Sequence, residues 1–360
     1  MRFIIRFFDA KLDLNLAKMN VKSNLSKFAK YAWFVLVYNL LVILWGAFLR
    51  ASLSGDGCGQ HWLTCNGEII PNAPQFKTII EFSHRASTGL AFIFVLILFI
   101  RAVFKYGNFE RKNSFASFLL KVISQIAKTF VSLRKNNSIL NMAIASFIFI
   151  IAEALIGAGL VLTGNTAENL TPTRPFWMAA HLITTFSLLA ALTLTAWFAS
   201  GGKSFSFAVP RKSLILLAVA VLGFIFVGMS GSVAALSSML FPSATLSEGL
   251  AKDFSASSNI LLRLRVSHPI LSTSVGVYLI FLAGWLKSQI KNNFWINRFA
   301  NLLTIIILIQ FAAGTLTFLL LAPLMMQIIH LFLADLLWII FVLLAVNVLV
   351  RENNSTEIIE

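Results

Sequence analysis

The sequence predicts an all-α integral membrane protein with eight transmembrane helices, arranged as two tandem, pseudo-symmetric four-helix bundles. Three observations predict it: a mean hydropathy of +0.84 with only 12% charged residues, eight long apolar runs, and a residue pattern in the first half that recurs in the second. Such a composition lies outside the range of soluble domains. The formal charge of +15 would suit nucleic acid only through a basic patch on a folded soluble domain. No soluble stretch here is long enough to form one, so nucleic acid is excluded as a partner and membrane lipid is required.

A hydrocarbon core about 30 Å thick needs roughly 20 apolar residues in helical form. By that measure the spans are Ala32–Leu49, Ile79–Ile100, Ile139–Leu162, Phe176–Ala199, Leu214–Leu240, Val266–Leu286, Phe299–Leu321 and Gln327–Val350. They divide the chain into an N-terminal tail (1–31), a first bundle (32–199) with a cysteine-containing outer loop (51–78), a linker (200–212), a second bundle (213–350) and a C-terminal tail (351–360).

Basic loops favour the cytoplasm, which sets the orientation. The first 31 residues carry seven Lys and Arg, 101–138 carry eight, 200–212 and 287–298 three each and the tail one, against seven on the other side. Both termini are therefore expected in the cytoplasm of a bacterial cytoplasmic membrane. The apolar stretch Phe115–Val131 is expected to lie in the interface rather than to span. Its Phe115, Phe118, Leu119, Val122, Ile123, Ile126 and Phe130 recur at helical spacing while Lys121 and Lys128 fall on another face. The start of the chain has basic residues but no cleavage-site pattern, so it reads as a cytoplasmic tail.

Of five histidines, four lie near the start of an even-numbered span: His84, His181, His268 and His330. Even spans run in one direction, so all four share a depth of roughly 5–8 Å inside the outer hydrocarbon boundary. Polar groups in spans are costly and face the bundle interior, where they mark functional sites. Helix-to-helix hydrogen bonding would explain one such histidine, but leaves four at a single level unexplained. Imidazole is an axial ligand of haem iron, and two histidines on facing helices can clamp one porphyrin. Zinc is the competing metal, yet it usually recruits a carboxylate or thiolate at tight spacing, and Glu81 is the only well-placed carboxylate.

The halves align. Phe82-Ser-His84-Arg85 matches Val266-Ser-His268-Pro269, Met178-Ala-Ala-His181-Leu matches Gln327-Ile-Ile-His330-Leu, and Glu153-Ala-Leu-Ile-Gly157 matches Gln310-Phe-Ala-Ala-Gly314. A parallel repeat of four spans predicts one histidine pair per bundle, His84 with His181 and His268 with His330. Glu81 shares a helical face with His84, and its counterpart is Arg265. A carboxylate there can act as acid, base or hydrogen-bond anchor, or simply pair with Arg85 at the water boundary. Cys58 and Cys65, the only two cysteines, both fall in the first outer loop. A disulfide between them is feasible, and exposed pairs of this kind can be redox-active, while a structural staple is an equal reading. His61 between them reads as a polar loop residue. Gly157-x-Gly159 and Gly228-x-x-Gly231 can pack helices within the chain or between copies in a homo-oligomer.

Taken in order, Cys58…Cys65-Asn-Gly-Glu-Ile-Ile-Pro71, Glu81-Phe-Ser-His84-Arg85, Leu162-Thr-Gly164, Ala180-His181-Leu182, Arg265-Val-Ser-His268-Pro269 and Gln327-x-x-His330-Leu…Leu337-Trp338 resemble the haem A synthase family over roughly residues 32–350. The resemblance implies oxidation of a methyl group of haem O to the formyl group of haem A, for cytochrome oxidase assembly. It implies a substrate site with iron ligands His84 and His181, assisted by catalytic Glu81, and a haem b cofactor held by His268 and His330 that transfers electrons. No separate metal ion is implied. Haem O synthase would be the donor, cytochrome oxidase assembly the acceptor, and an unidentified molecule would take the electrons. Cys58 and Cys65 would inherit a part in activity or haem transfer. Many members have a Cys-Pro-Asp-Trp-Pro stretch where this chain reads Cys58-Gly-Gln-His61-Trp62-Leu-Thr-Cys65, which separates this loop from the common pattern. Arg50, Arg85, Arg174 and Arg265 are candidate propionate partners or helix-end anchors.

Two rival readings use the same histidines. A di-haem membrane cytochrome would exchange electrons and make no product, but would not need Glu81 and the cysteine loop in one half only. A haem transporter or chaperone would need a broad outer loop, and the loops here are short.

Overall fold

A computed structural model describes residues 25–72, 74–107, 137–169, 171–205 and 209–350. The expected interfacial helix Phe115–Val131 and both tails lie outside them. Among the described residues the chain forms α1 (Lys27–Ala51), α2 (Phe76–Tyr106), α3 (Ser138–Leu162), α4 (Arg174–Ala199), α5 (Arg211–Leu240), α6 (Leu246–Phe254), α7 (Ile260–Arg265), α8 (Ser267–Gln289), α9 (Phe294–Leu319) and α10 (Leu324–Val348). Eight helical segments are long and apolar enough to cross a membrane, with α7 and α8 together forming one of them, Ile260–Gln289. The chain is thus an all-helical, multi-pass membrane protein.

Several helices begin earlier than hydropathy alone indicates, because polar caps set their ends. Ser26 Oγ accepts the Ala29 N–H at 3.1 Å ahead of α1. The Asn293 side chain accepts the N–H groups of Trp295 and Ile296, both at 3.1 Å, ahead of α9. Each cap satisfies donors that a helix start leaves unpaired. Their residues are polar, so a hydropathy window excludes them.

The sixth span is not continuous. Val266 separates α7 from α8, three residues before Pro269. Proline has no N–H to give and crowds the carbonyl four residues earlier, here that of Arg265, so the helix is interrupted just ahead of His268. The short α6 was not foreseen. Its signal is Thr245-x-x-Glu248: Thr245 Oγ1 accepts the Glu248 N–H at 3.2 Å, and the Glu248 carboxylate reaches back to the Ala244 N–H at 2.8 Å, in the manner of a capping box.

Helices α1 to α4 pack in chain order and α1 also packs on α4; α5, α8, α9 and α10 do the same, and α10 also packs on α5. The two sets meet through α4 on α5 and through α10 on α1 and α4. Trp338 is central to that junction. Its indole stacks on Phe186 with centroids 5.0 Å apart, meets Phe224 edge-on at 5.2 Å, and donates from Nε1 to the Phe186 carbonyl at 2.8 Å. The family-like Leu337-Trp338 pair therefore serves packing between halves, with the indole N–H satisfied as a buried donor must be.

Burial is uneven along the helices. On α2 the buried positions run from Thr78 to Glu81, then from Ala91 onward; on α4, after Arg174, they resume at Thr185; on α8 they begin at Gly276; on α10 they begin at Asp335. Each of these gaps contains one histidine. The helices form a close-packed core at one end and pack more openly at the histidine level.

Candidate functional site

His84, His181, His268 and His330 lie six to eight residues past the first residue of their spans. Because the spans begin two to six residues earlier than hydropathy indicates, the histidines sit about half a turn to just under two turns further along their spans than the sequence suggests. The common level across alternate helices is kept. His268 and His330 face each other across the second helix set, with ring centroids 6.2 Å apart and planes at 87°.

Three of the four imidazoles rest on a glycine of the preceding span. A β-carbon on Gly46 of α1 would stand 2.9 Å from His84 Cε1; on Gly231 of α5, 3.0 Å from His268 Cε1; on Gly314 of α9, 3.0 Å from His330 Cε1. Real β-carbons do not approach that closely, so the glycines admit the rings where a larger residue would displace them. At the fourth place, Gly157 of α3, which matches Gly314, receives no ring; Gly159, two residues on, receives that of Trp177. Of the other patch glycines, Gly228 receives Leu182 and Gly231 receives His268, both within the chain, while a β-carbon on Gly157 would meet nothing within 4 Å. Replacing Gly46 with valine is expected to push His84 out of position and lower haem binding in the first half at least tenfold, read by absorption titration, with a smaller effect on the second half.

Side chains from the preceding span also reach three of the rings. Ser230 Oγ lies 3.1 Å from His268 Nδ1 and 2.9 Å from the Val227 carbonyl. With its hydroxyl proton given to that carbonyl, Ser230 accepts from Nδ1–H, which leaves His268 Nε2 as the unprotonated nitrogen. Gln310 of α9 directs Nε2 at the His330 carbonyl (3.1 Å) and at His330 Nε2 (3.3 Å). Glu153 of α3 holds Oε1 3.4 Å from His181 Nδ1. Glu153 and Gln310 were aligned by the repeat without a role; the legible signal was that each lies four residues before a glycine, in a span just before a histidine-bearing one. The Nδ1 atoms of His84, His181 and His330 are buried and make no aligned hydrogen bond.

Glu81 and the cysteines form one unit at the mouth of the first helix set. Cys58 and Cys65 are joined by a disulfide and are 0% and 1% exposed. The pair is thus shielded, unlike the exposed pair that redox exchange with an outside thiol favours. Glu81, 3% exposed, accepts the Cys58 N–H at 2.8 Å with Oε2 and forms an ion pair with Arg85 through Oε1. Arg85 in turn donates to the carbonyls of His61 (2.5 Å) and Thr64 (2.8 Å). Thr78 Oγ1 donates to the Gly57 carbonyl at 2.8 Å, and a β-carbon on Gly57 would collide with the backbone of Lys77 and Thr78. Only glycine lets the loop lie this close to α2. His61 is exposed and takes part through its carbonyl. A cleft of about 640 Å³ opens beside this loop, lined by residues including Asp56, Asn66, Glu68 and Lys77 and by none of the span histidines.

The position matching Glu81 does comparable work in the second half with the charge reversed. Arg265 pairs with Asp253 of α6 at 2.6 Å and reaches the Gly249 carbonyl at 3.4 Å. Arg174 donates to the carbonyls of Ala167 (2.8 Å) and Asn169 (2.7 Å). Among the described residues, the Arg50 guanidinium makes no hydrogen bond. Arg85, Arg174 and Arg265 therefore secure loops at the histidine end of the helices, and Arg50 keeps its donors available. Among the described residues no three His, Cys, Asp or Glu side chains converge on a common metal position.

Among the described residues, eight helical segments long and apolar enough to cross a membrane carry four histidines near their starts, with a disulfide loop beside the first pair, and so define a multi-pass membrane protein. The sequence profile of the cytochrome oxidase assembly protein family, COX15-CtaA, matches residues 29–342, and the chain belongs to this family, that of the haem A synthases. A protein of Thermus thermophilus named protoheme IX farnesyltransferase is 41% identical over 335 residues, 92% of this chain and 50% of that protein. Its counterpart from a second strain of the same species matches over the same extent. A heme A synthase of Bacillus cereus is 35% identical over 126 residues, 35% of this chain and 32% of its own length. The chain spans about half the length of the Thermus relatives.

Proposed function

We propose that the chain is a haem A synthase, oxidising the methyl group of haem O to the formyl group of haem A, in a bacterial cytoplasmic membrane with both termini cytoplasmic. The observation that carries this reading is the level set of four histidines within a chain of this family, two of them with ring centroids 6.2 Å apart and planes nearly perpendicular. A bis-imidazole donor set suits haem iron, which needs only two axial protein ligands, and so does not require a third converging ligand. The glycine cradles, the His268 tautomer set by Ser230 and the open packing at the histidine level fit a flat group held between helices.

In this reading the two bundles divide the work. His268 and His330 hold haem b, and His84 and His181 hold substrate haem O. Bound haem supplies the redox chemistry. The residues of the chain bind it, orient it and keep water from it. Ser230 keeps His268 Nε2 free for iron. Arg50 takes a propionate, its guanidinium being unengaged at the outer end of α1. Glu81 assists the reaction from the mouth of the first bundle. Both of its oxygens are held by Arg85 and the Cys58 N–H, which supports action through the disulfide loop; direct proton handling would require release of one partner. Haem O synthase is the donor in this reading and cytochrome oxidase assembly the destination. The Thermus relatives, named for farnesylation of protohaem and twice as long as the match, support a haem O-forming enzyme as the donor.

The test is extraction and chromatography of haems from cells that make haem O but no haem A, with and without this chain. Haem A should appear only with the chain. Bound haem b without haem A would instead identify an electron-carrying cytochrome, and haem O made from haem b in cells lacking a farnesyltransferase would identify the activity named in the Thermus relatives.

A further inference from the structure

A carboxylate inside a membrane span is costly and needs a reason. Glu153 lies midway along α3, with its side chain 16% exposed and Oε1 3.4 Å from His181 Nδ1. Among the described residues it is the only acid within ion-pair distance of a histidine. Thr185 Oγ1 donates to Oε1 at 2.5 Å and Thr184 Oγ1 donates to Oε2. These hydroxyls, from one turn of α4, fix the carboxylate beside His181 on the same helix. The matching residue in the second half is Gln310, whose amide nitrogen donates to the His330 carbonyl at 3.1 Å and lies 3.3 Å from Nε2 of that ring, leaving His330 Nδ1 with no acceptor. The two halves thus offer their α4 and α10 histidines different partners: an acid that accepts hydrogen bonds in the first, an amide that donates them in the second.

We propose that Glu153 is a positioning residue: its Oε1, 3.4 Å from His181 Nδ1 and not aligned as a hydrogen bond in this structure, accepts the Nδ1–H once the ring turns Nε2 to iron, and so differentiates the first-half iron from the second. A carboxylate acceptor raises the basicity of a ligating imidazole, and a more basic ligand favours oxidised over reduced iron. A neutral amide does not. The first-half haem is thereby held at a lower reduction potential than it would have with the second-half partner, so the pair Glu153 and Gln310 separates a substrate site from an electron-relay site built on one repeated framework. The alternative role, a carboxyl that only joins α3 to α4 through two threonines, would contribute to packing without altering the iron.

This inference rests on His84 and His181 binding haem, and its test separates the two claims. The full-length protein in lipid nanodiscs is loaded anaerobically with haem O, and its reduction is followed by optical titration, together with resonance Raman spectra of the iron–histidine stretch. Glu153→Gln should move one component of the titration to more positive potential and lower its iron–histidine frequency, leaving the other component in place. Glu153→Asp, which keeps the charge but draws it back from the ring, should shift the first component in the same sense as Glu153→Gln by a smaller amount. Unchanged potentials and Raman frequencies in folded, haem-loaded Glu153→Gln would overturn the proposal while leaving the haem site intact. A first-half haem spectrum unaffected by His181→Ala would instead overturn the ligand assignment, and the proposal with it.

Discussion

With His268 and His330 assigned to haem b as proposed, His330→Ala is expected to yield a folded protein that no longer retains that haem, with occupancy reduced by roughly tenfold or more in purified material. The ring lies opposite His268 at 6.2 Å and rests on Gly314, so its removal deletes one of two axial donors and leaves a gap beside the other. Even the hydrogen-bond partners of a metal ligand are worth about 10–100-fold in affinity, and a direct ligand is worth more. The close-packed part of α10, from Asp335 to Val348, lies beyond the histidine, which is why the bundle should survive. His268→Ala should behave alike. Pyridine haemochrome analysis checks the result. Retention of full haem b in both variants would show that this pair does not hold the cofactor.

The second large effect is expected at Glu81. Glu81→Ala leaves the Arg85 guanidinium without its ion-pair partner and the Cys58 N–H without its acceptor, inside a unit only 3% exposed at the carboxylate. Removing one member of a buried charged pair costs about 3 kcal/mol. If that energy holds the loop in its working position, product formation falls about a hundredfold, while haem b in the second half is retained. Glu81→Gln keeps the shape and one acceptor, and should recover part of the activity. Unchanged turnover in Glu81→Ala would remove Glu81 from the account altogether.

Much of this site was legible because membrane chains restrict their polar residues. Four histidines in alternate spans, the paired cysteines and Glu81 stand out against an apolar background, and hydropathy located all eight spans. What hydropathy cannot read is the polar edge. Ser26 and Asn293 extend α1 and α9 beyond their apolar runs, and Thr245 with Glu248 starts a helix in a segment that has no apolar run. The partners of the histidines were hidden for a related reason. Gly46, Gly231 and Gly314 carry no chemistry and acquire meaning only from the ring that lies against each of them. Glu153 was visible as an intramembrane acid and aligned with Gln310, yet its relation to His181 depends on the rotation of α3 against α4, which spacing alone does not fix. The asymmetry at Glu81 also needed coordinates. Sequence presents a carboxylate in one half and Arg265 in the other, whereas the structure has both tying down an outer loop, Glu81 to Cys58 and Arg265 to Asp253.

The central claim, that this chain turns a methyl group on haem O into a formyl group, is tested most directly with the purified full-length protein in lipid nanodiscs. It would be supplied with haem O, oxygen and a reducing system, and the extracted haems identified by chromatography and mass spectrometry. The account predicts haem A in the wild-type reaction and its loss in His84→Ala and His181→Ala. Unaltered haem O, recovered from protein that has bound it and retains haem b, would contradict it.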